Sequence, residues 1–239
     1  MIDELVVEAA LQININNEAY TVVMRTPGDD QELIRGLLYA EDIYKQKENL
    51  TFEIIEKKEN GFSTINVNID KKKLGKGYLN KRTLLSVSSC GICGKQKIED
   101  ISFSGKKLTS NNSFDIDRLE LMFDEMRNLQ DTFELSGGSH AAAVFDNNYN
   151  LIGLKEDIGR HNAVDKVIGA LIINNSLTNI SCMLVSGRVS YEIISKAFIA
   201  KIPIVVAVSA CSTLAVDFSK EFGIRLIGFS RGKKATIYS

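Results

Sequence analysis

Two cysteines separated by two residues, Cys90 and Cys93, are the residues whose type and spacing first suggest chemistry. They lie in residues 88–95, SSCGICGK, where the two glycines favour a mobile loop over a packed helix or strand. Thiol chemistry proceeds through the thiolate, whose formation nearby positive charge favours, and basic residues flank this segment on both sides. The pattern predicts a pair of reactive or metal-binding thiols.

Three familiar uses of such a pair fit this sequence poorly. A structural zinc site usually needs two close pairs of ligands, and only one close cysteine pair is present, so zinc would have to recruit a residue such as His140. A thioredoxin-like oxidoreductase usually faces a downstream cis-proline, but the next proline, Pro203, lies in a different context. A zinc deaminase needs His-x-Glu before Pro-Cys-x-x-Cys, whereas here the glutamate and the proline are missing and the order is reversed.

Sulfur relay is the remaining chemistry for the pair. One thiolate would accept a sulfane sulfur as a persulfide, and the second thiol would assist by the exchange reactions that thiols and disulfides undergo. A glycine-flanked loop would act as a flexible arm that delivers this sulfur.

The composition narrows the class of protein. A chain of 239 residues with 44% hydrophobic residues can bury a large core, as one large domain or two small ones. A formal net charge of −1 gives no global attraction to nucleic acid. The acidic N-terminus and the lack of a long apolar run predict neither a signal peptide nor a membrane span, so we expect a cytoplasmic protein. Four cysteines in so long a chain do not predict a secreted disulfide framework.

The first half of the chain predicts a smaller mixed α+β region, residues 1–115, that ends in the Cys-x-x-Cys loop. Alternating apolar residues predict one β hairpin around Asn16-Asn17 and a second between Thr51 and Asp70. Thr26, followed by proline and Asp29, predicts the N-cap of a helix between the hairpins. A short lysine run after the second hairpin is typical of a solvated edge.

The second half, residues 116–239, has a different rhythm. A helix capped by Asp115 comes first, with a methionine and aromatic stripe that is typical of a core-facing surface. Five short apolar runs follow, and helical patterns separate the later ones. The runs are residues 141–145, 151–154, 182–185, 204–208 and 224–229. Strands that alternate with helices predict a layered α/β domain built on a mainly parallel sheet.

Polar, glycine-rich segments adjoin these strands at the end where open α/β sheets bind ligands. They are residues 136–140, 156–162, 186–188, 209–212 and 230–234. Free backbone N–H groups at helix starts favour anions, and arginines add planar donors suited to phosphate. We therefore expect Arg160, Arg188 and Arg231 to converge on a large phosphorylated ligand.

Both histidines of the chain, His140 and His161, fall in these polar segments. We expect them to act as proton donors or substrate contacts, with Asp157, Asp165 and Lys166 available to orient them. The two remaining cysteines are weaker candidates. Cys182 lies inside an apolar strand, where a cysteine is usually a small buried hydrophobe, and Cys211 has no partner at a useful spacing.

Several motifs together resemble the FdhD family of formate dehydrogenase accessory sulfurtransferases. They are the Cys-Gly-Ile-Cys-Gly stretch from Cys90, residues 137–142 (GGSHAA), residues 156–166 (EDIGRHNAVDK), residues 186–188 (SGR) and residues 229–232 (FSRG). They follow the family's order over nearly the whole chain, and the DIGRHNA block is the most specific of them.

The resemblance implies a cytidine-deaminase-like layered α/β fold, a cytoplasmic location and a homodimer. It also implies a role in which a cysteine desulfurase supplies persulfide sulfur and this protein passes it to the molybdenum bis(molybdopterin guanine dinucleotide) cofactor of formate dehydrogenase. Cys90 would be the persulfide carrier and Cys93 its support. The cofactor would be a bound substrate. GDP or GMP would mimic its guanine nucleotide ends.

The cofactor contacts that we expect lie in the polar segments that adjoin the strand ends, called the rim segments below, and in the C-terminal stretch, residues 229–234. They are His140, Asp157, Gly159, Arg160, His161, Asn162, Ser186, Gly187, Arg188, Phe229, Ser230, Arg231, Gly232, Lys233 and Lys234. We expect no resident metal. The alternative is a chaperone that binds the molybdenum cofactor and whose cysteine pair is redox-active or zinc-binding.

Overall fold

The computed structural model describes residues 4–79, 106–108, 114–178, 180–231 and 234–239. No helix among them is long and apolar enough to cross a membrane. The described residues form two β-sheets with helices packed between and around them.

The first sheet has four strands in the order β2-β1-β4-β3. The strands are β1 (Ala9–Ile15), β2 (Glu18–Arg25), β3 (Phe52–Lys57) and β4 (Ser63–Val67). Both predicted hairpins are present, and the parallel pairing of β1 with β4 joins them into one sheet. Apolar residues alternate along β1, because only one face of the sheet is buried.

Helix α1 (Asp30–Ala40) covers the buried face of this sheet through Leu33, Ile34, Leu37 and Leu38. The predicted N-cap was wrong. Asp29, in the left-handed conformation with φ of 54°, precedes the helix, and the Thr26 hydroxyl accepts a hydrogen bond from the amide of Ile158 instead. The Thr26 side chain is therefore used to join this layer to the rest of the protein.

The second sheet has six strands in the order β10-β9-β8-β7-β5-β6. They are β5 (His140–Asp146), β6 (Leu151–Asp157), β7 (Ile180–Val185), β8 (Ile204–Ala207), β9 (Arg225–Arg231) and β10 (Lys234–Ile237). Strands β7, β8 and β9 are parallel, whereas β5 is antiparallel to both of its neighbours and β10 to β9. The sheet is mixed rather than mainly parallel, because three of its five strand pairings are antiparallel.

Helices lie on both faces of the six-stranded sheet. On one face are α4 (Arg160–Ile173), α5 (Tyr191–Ile199) and α6 (Thr213–Phe222), whose apolar residues share a core with alternate strand residues. On the other face α2 (Leu119–Asn128) buries Leu119, Met122 and Met126, as its stripe predicts, and α3 (Asp131–Ser136) follows. Asp115 caps the short 3₁₀ turn that leads into α2.

Two glycines allow α1 to pack directly against α4. A Cβ atom built at Gly36 would lie less than 3.0 Å from the backbone of Asp165, and one at Gly169 would lie 2.8 Å from the amide nitrogen of Gly36. The two helix backbones therefore touch where neither residue carries a side chain. This crossing joins the four-stranded sheet and its helix to the six-stranded sheet.

Segments before the predicted boundary at residue 115 also contact the second half of the chain. The amide of Leu108 donates to the carbonyl of Phe222, and Phe114 packs in the core beneath α2. The division at 115/116 remains a prediction of the sequence.

Candidate functional site

The rim segments named from the sequence adjoin one edge of the six-stranded sheet. Because β5 runs antiparallel to β7, its first residue, His140, lies at the same edge as Ser186 after β7, and His140 is the register partner of Asp157 at the end of β6. The amide of Ala141 donates to Ser186 Oγ at 2.9 Å. Strand pairing carries the segment after β8 and the end of β9 to this edge as well.

A cavity of about 650 Å³ opens at this edge, between the sheet and helices α2 and α3. His140, Ser186 and Ser230 line it from the rim, and Phe123 and Phe133 line it from the helices. Arg127 lies over the Phe133 ring, with its guanidinium carbon 4.3 Å from the ring centre. Polar groups on one wall and aromatic rings on the other suit an amphipathic ligand such as a nucleoside.

His140 is half-buried beside the positive side chains of the rim. Burial lowers the pKa of its imidazole below the ordinary value of 6.5, and Arg160, His161 and Arg188 lower it further, while Asp157 opposes them. A Cβ atom built at Gly187 would lie 3.2 Å from His140 Nδ1, so the glycine lets the chain pass close to the ring. We expect a neutral imidazole that can exchange a hydrogen bond with a ligand at neutral pH.

Two polar atoms at the rim have no hydrogen-bond partner among the described residues although both are buried. They are Arg160 Nε and Ser230 Oγ, and the Ser230 side chain lines the cavity. Unpaired buried polar groups are costly, so a ligand or an ordered water that bonds to these two atoms is expected at the rim. Both residues belong to the site predicted from the sequence.

Phe229 precedes Ser230 in a strained conformation. Its φ is 50° although it is not a glycine, and its side chain is 52% exposed beside the cavity-lining serine. Backbone strain of this kind costs roughly 1–3 kcal/mol and is concentrated at functional sites. Arg188 is exposed at the same edge, where its charge faces solvent.

Other polar residues of the block 156–162 are bound within the protein. Asp157 is fully buried, and its carboxylate accepts hydrogen bonds from the amides of Thr26 (3.1 Å) and Gly159 (2.8 Å) and from Asn162 Nδ2 (2.9 Å). Lys166 Nζ lies 2.8 Å from the same carboxylate and also donates to the Thr26 carbonyl. Asp157 and Asn162 therefore fix the turn that presents Arg160, and they do so by joining it to the loop after β2.

His161 is also buried, and it is not among the residues that line the cavity. Its Nε2 lies 3.1 Å from Ser190 Oγ and 3.5 Å from Glu192 Oε2. Asp165, expected to orient a histidine, is instead paired with Lys196 Nζ at 2.6 and 2.8 Å. The structure thus separates the contacts of the two histidines.

The two thiols proposed for catalysis, Cys90 and Cys93, lie outside the described residues, as do Gly232 and Lys233. The backbone of Arg231 ends β9, opposite Lys234 at the start of β10, which is exposed. Burial raises the pKa of the thiols of both Cys182 and Cys211, the latter to about 11. Neither thiol is activated for nucleophilic chemistry.

The helix wall of the cavity was missed by sequence reasoning. The apolar stripe of α2 predicts a core surface, and Phe123 belongs to that stripe yet also lines the cavity. Gln130, which is buried although polar, and Phe133 line the cavity together with Gly137 and Gly138. The glycine-rich segment after α3 was the sequence signal that this part of the chain borders a ligand. Among the described residues, no cluster of His, Cys, Asp or Glu side chains has an arrangement that could hold a metal ion.

A family model described as the FdhD/NarQ family matches residues 6–239. The chain belongs to the FdhD/NarQ family. Its relatives include the sulfur carrier protein FdhD of Mycobacterium tuberculosis, 39% identical over 250 residues that cover 99% of this chain and 90% of the relative. The sulfur carrier protein FdhD of Picrophilus torridus is 39% identical over 243 residues, with the same coverage.

A solved structure of a Desulfotalea psychrophila protein, assigned as a formate dehydrogenase accessory protein, has a similar fold. The TM-score is 0.76 at 21% identity, over 100% of this chain and 90% of that one. The FdhD resemblance drawn from the motifs is thereby confirmed at the level of the family and of a mixed α/β fold.

Proposed function

We propose that this FdhD/NarQ family member is a sulfur carrier required for formate dehydrogenase activity. In this proposal Cys90 accepts a persulfide sulfur from a cysteine desulfurase and passes it to the bis(molybdopterin guanine dinucleotide) cofactor as a bound substrate. The observation that carries it is the match of nearly the whole chain, Cys-x-x-Cys segment included, to relatives named sulfur carrier protein FdhD. We also propose the cytidine-deaminase-like layering, a cytoplasmic location and a homodimer.

The first step moves a sulfane sulfur atom from one thiol to another without a change in oxidation state. The Cys90 thiolate attacks the terminal sulfur of the desulfurase persulfide, and the desulfurase thiolate leaves. Delivery to the cofactor as sulfide then requires two electrons, which a second thiol supplies when it attacks the inner sulfur of the persulfide and forms a disulfide with it. In this proposal the second thiol is Cys93, which follows Cys90 at the Cys-x-x-Cys spacing in the sequence.

The cavity supports the cofactor half of the proposal. Its volume of about 650 Å³ accommodates a nucleoside, while the arginines at the rim suit the phosphates that follow. The buried Ser230 Oγ and Arg160 Nε are donors that such a ligand would engage. The aromatic wall of Phe123 and Phe133 favours a planar base in the cavity.

Mass spectrometry tests the carrier step directly. After incubation with a cysteine desulfurase and cysteine, the wild-type protein should gain about 32 Da on Cys90, the mass of one sulfur atom added as a persulfide. The Cys90→Ser variant should lose the adduct, and Cys182→Ser, a matched change at a buried thiol, should keep it. Absence of an adduct on both Cys90 and Cys93 would refute the carrier role.

The molybdenum-cofactor chaperone is the second candidate function, and the cavity is the observation that favours it. A chaperone with redox-active or zinc-binding cysteines would activate formate dehydrogenase without carrying sulfur. Cells that contain Cys90→Ser in place of the wild-type protein separate the two functions. Sulfur transfer predicts loss of formate dehydrogenase activity, and retained activity would favour the chaperone.

GDP titration tests the cofactor site. Replacing the exposed Arg188 by alanine removes a charge-assisted hydrogen bond and should weaken GDP binding by about 10- to 100-fold. Lys220→Ala, an exposed change in the last turn of α6, is the matched control and should leave the affinity unchanged. Equal affinities of the two variants would remove Arg188 from the site.

A further inference from the structure

Strand β6 presents three consecutive charged residues to two different faces of the sheet. Lys155 and Asp157 point toward α1 and α4, where they bind Asp29 and Asn162 respectively. Glu156, between them, points to the opposite face because side chains alternate along a strand. That face carries α2, α3 and the cavity.

The Glu156 carboxylate accepts three hydrogen bonds there. The amide of Thr132 donates to Oε2 at 2.8 Å, and the amide of Phe133 donates to Oε1 at 2.9 Å. The Ser139 hydroxyl donates to Oε1 at 2.5 Å. One side chain from β6 therefore holds both the start of α3 and the residue that precedes β5.

Helix α3 needs this carboxylate because its own sequence gives it little to hold it. The first amides of a helix have no partner within the helix, and the N-cap residue, Gln130, makes no side-chain capping bond. None of the six residues of α3 is buried, so apolar packing contributes little to its position. The helix ends at Gly137, whose φ is 64° and around whose Cβ position there is open space.

The segment that Glu156 holds is a wall of the cavity. Gln130 and Phe133 line the cavity from α3, and Ser139 lines it next to His140. A shift of α3 would therefore move the Phe133 ring and the Arg127 guanidinium that packs on it. It would leave Arg160 and Arg188, which follow strands of the sheet, in place.

We propose that Glu156 is a positioning residue that fixes the α3 wall of the cavity against the nucleoside end of the ligand. The inference rests on the proposed function for the nature of the ligand, with GDP as the probe. The three hydrogen bonds of the Glu156 carboxylate do not involve the ligand. Loss of the Glu156 carboxylate should loosen residues 130–139 and weaken contacts to the nucleoside, but not contacts to the phosphates.

The test compares Glu156→Gln with Glu134→Gln, a matched change at an exposed glutamate of α3 that does not line the cavity. The glutamine amide keeps one acceptor but turns an N–H group toward one of the two helix amides. Hydrogen exchange at residues 131–134 should accelerate about 10-fold in Glu156→Gln, the usual size of a lost capping interaction, and stay unchanged in Glu134→Gln. Strands β5 and β7 should exchange at the wild-type rate in both variants.

Binding measurements distinguish positioning from a general loss of stability. The affinity of Glu156→Gln for GDP should fall about 10-fold relative to wild type, while its affinity for pyrophosphate, which lacks a nucleoside, should stay within about 2-fold. An equal loss for both probes, unchanged exchange in α3, or faster exchange throughout the six-stranded sheet would each overturn the inference. If the wild-type protein does not bind GDP, the proposed cofactor site fails, and the exchange comparison alone still decides whether Glu156 holds α3.

Discussion

Replacing Lys166 by methionine should destabilise the protein by about 3 kcal/mol, because Lys166 is the buried cation beside Asp157. Both side chains are almost completely buried, and the ammonium nitrogen lies 2.8 Å from the carboxylate. The same nitrogen donates to the carbonyls of Thr26 and Glu156. Methionine has a similar length but no charge, so the variant leaves the Asp157 carboxylate buried without its cation.

The size of the loss follows from what remains around Asp157. Removing one partner of a buried ion pair typically costs about 3–5 kcal/mol, because the other charge stays desolvated. Three neutral donors still reach the carboxylate, from the amides of Thr26 and Gly159 and from Asn162 Nδ2. We therefore expect the lower end of that range, about 3 kcal/mol.

Urea unfolding followed by circular dichroism measures this loss. With an m-value of about 2–3 kcal/mol per M, the midpoint of Lys166→Met should fall by about 1 M or more. Lys155→Met is the matched control on β6: its ammonium binds Asp29 at 2.5 Å but is partly exposed, so its loss should cost less than about 1 kcal/mol. Equal losses in the two variants would refute the assignment of Lys166 as the buried cation that holds the 157–162 turn.

Three further predictions follow from burial and close packing. Because the pKa of His140 is lowered in the folded protein, the unfolded chain binds the proton first as the pH falls below 6.5. The wild-type protein should therefore lose stability between pH 7 and 5, and His140→Gln should not show this loss. Parallel curves of stability against pH for the two proteins would contradict the prediction. Gly169→Ala should lower the free energy of unfolding in urea by about 1–3 kcal/mol, because its methyl group would clash with the α1 backbone. Gly153→Ala, whose methyl group would make only ordinary contacts, should cost less. Equal losses in the two variants would argue against the close crossing of α1 and α4. In the native protein at pH 7.5, iodoacetamide should modify Cys182 and Cys211 much more slowly than after denaturation, as mass spectrometry would detect, because burial raises the pKa of both thiols.

Local patterns in the sequence predicted the elements of the fold well. The two hairpins, the five apolar strands from β5 to β9 and the buried stripe of α2 all form, because hydrophobic periodicity records which face of each element is buried. Pairings between distant segments were harder. The parallel pairing of β1 with β4 and the reversal of β5 depend on the whole sheet, and neither has a local signature.

Side-chain roles at the rim were also only partly predictable. The sequence placed His140, Arg160 and Ser230 in rim segments, and the structure brings His140 and Arg160 together and puts His140 and Ser230 in one cavity. It could not indicate that Thr26, from the first layer, would supply partners to Asp157 and Lys166, since those contacts join positions more than 130 residues apart. Capping logic assigned the Thr26 hydroxyl to α1, but the amide of Ile158 competes successfully for it.

Side chains of the block 156–166 make contacts on both faces of the six-stranded sheet and fix the turn 157–162. Asp157 and Lys166 anchor the turn to the loop after β2, and their burial makes that anchor costly to alter. Glu156 holds the opposite wall of the cavity through α3. Arg160 projects from the anchored turn with a buried nitrogen that lacks a partner among the described residues. Most of the block therefore provides rigidity, and this rigidity is what allows a few unpaired groups to remain directed at a ligand, since an unsatisfied donor on a mobile turn would rotate toward water.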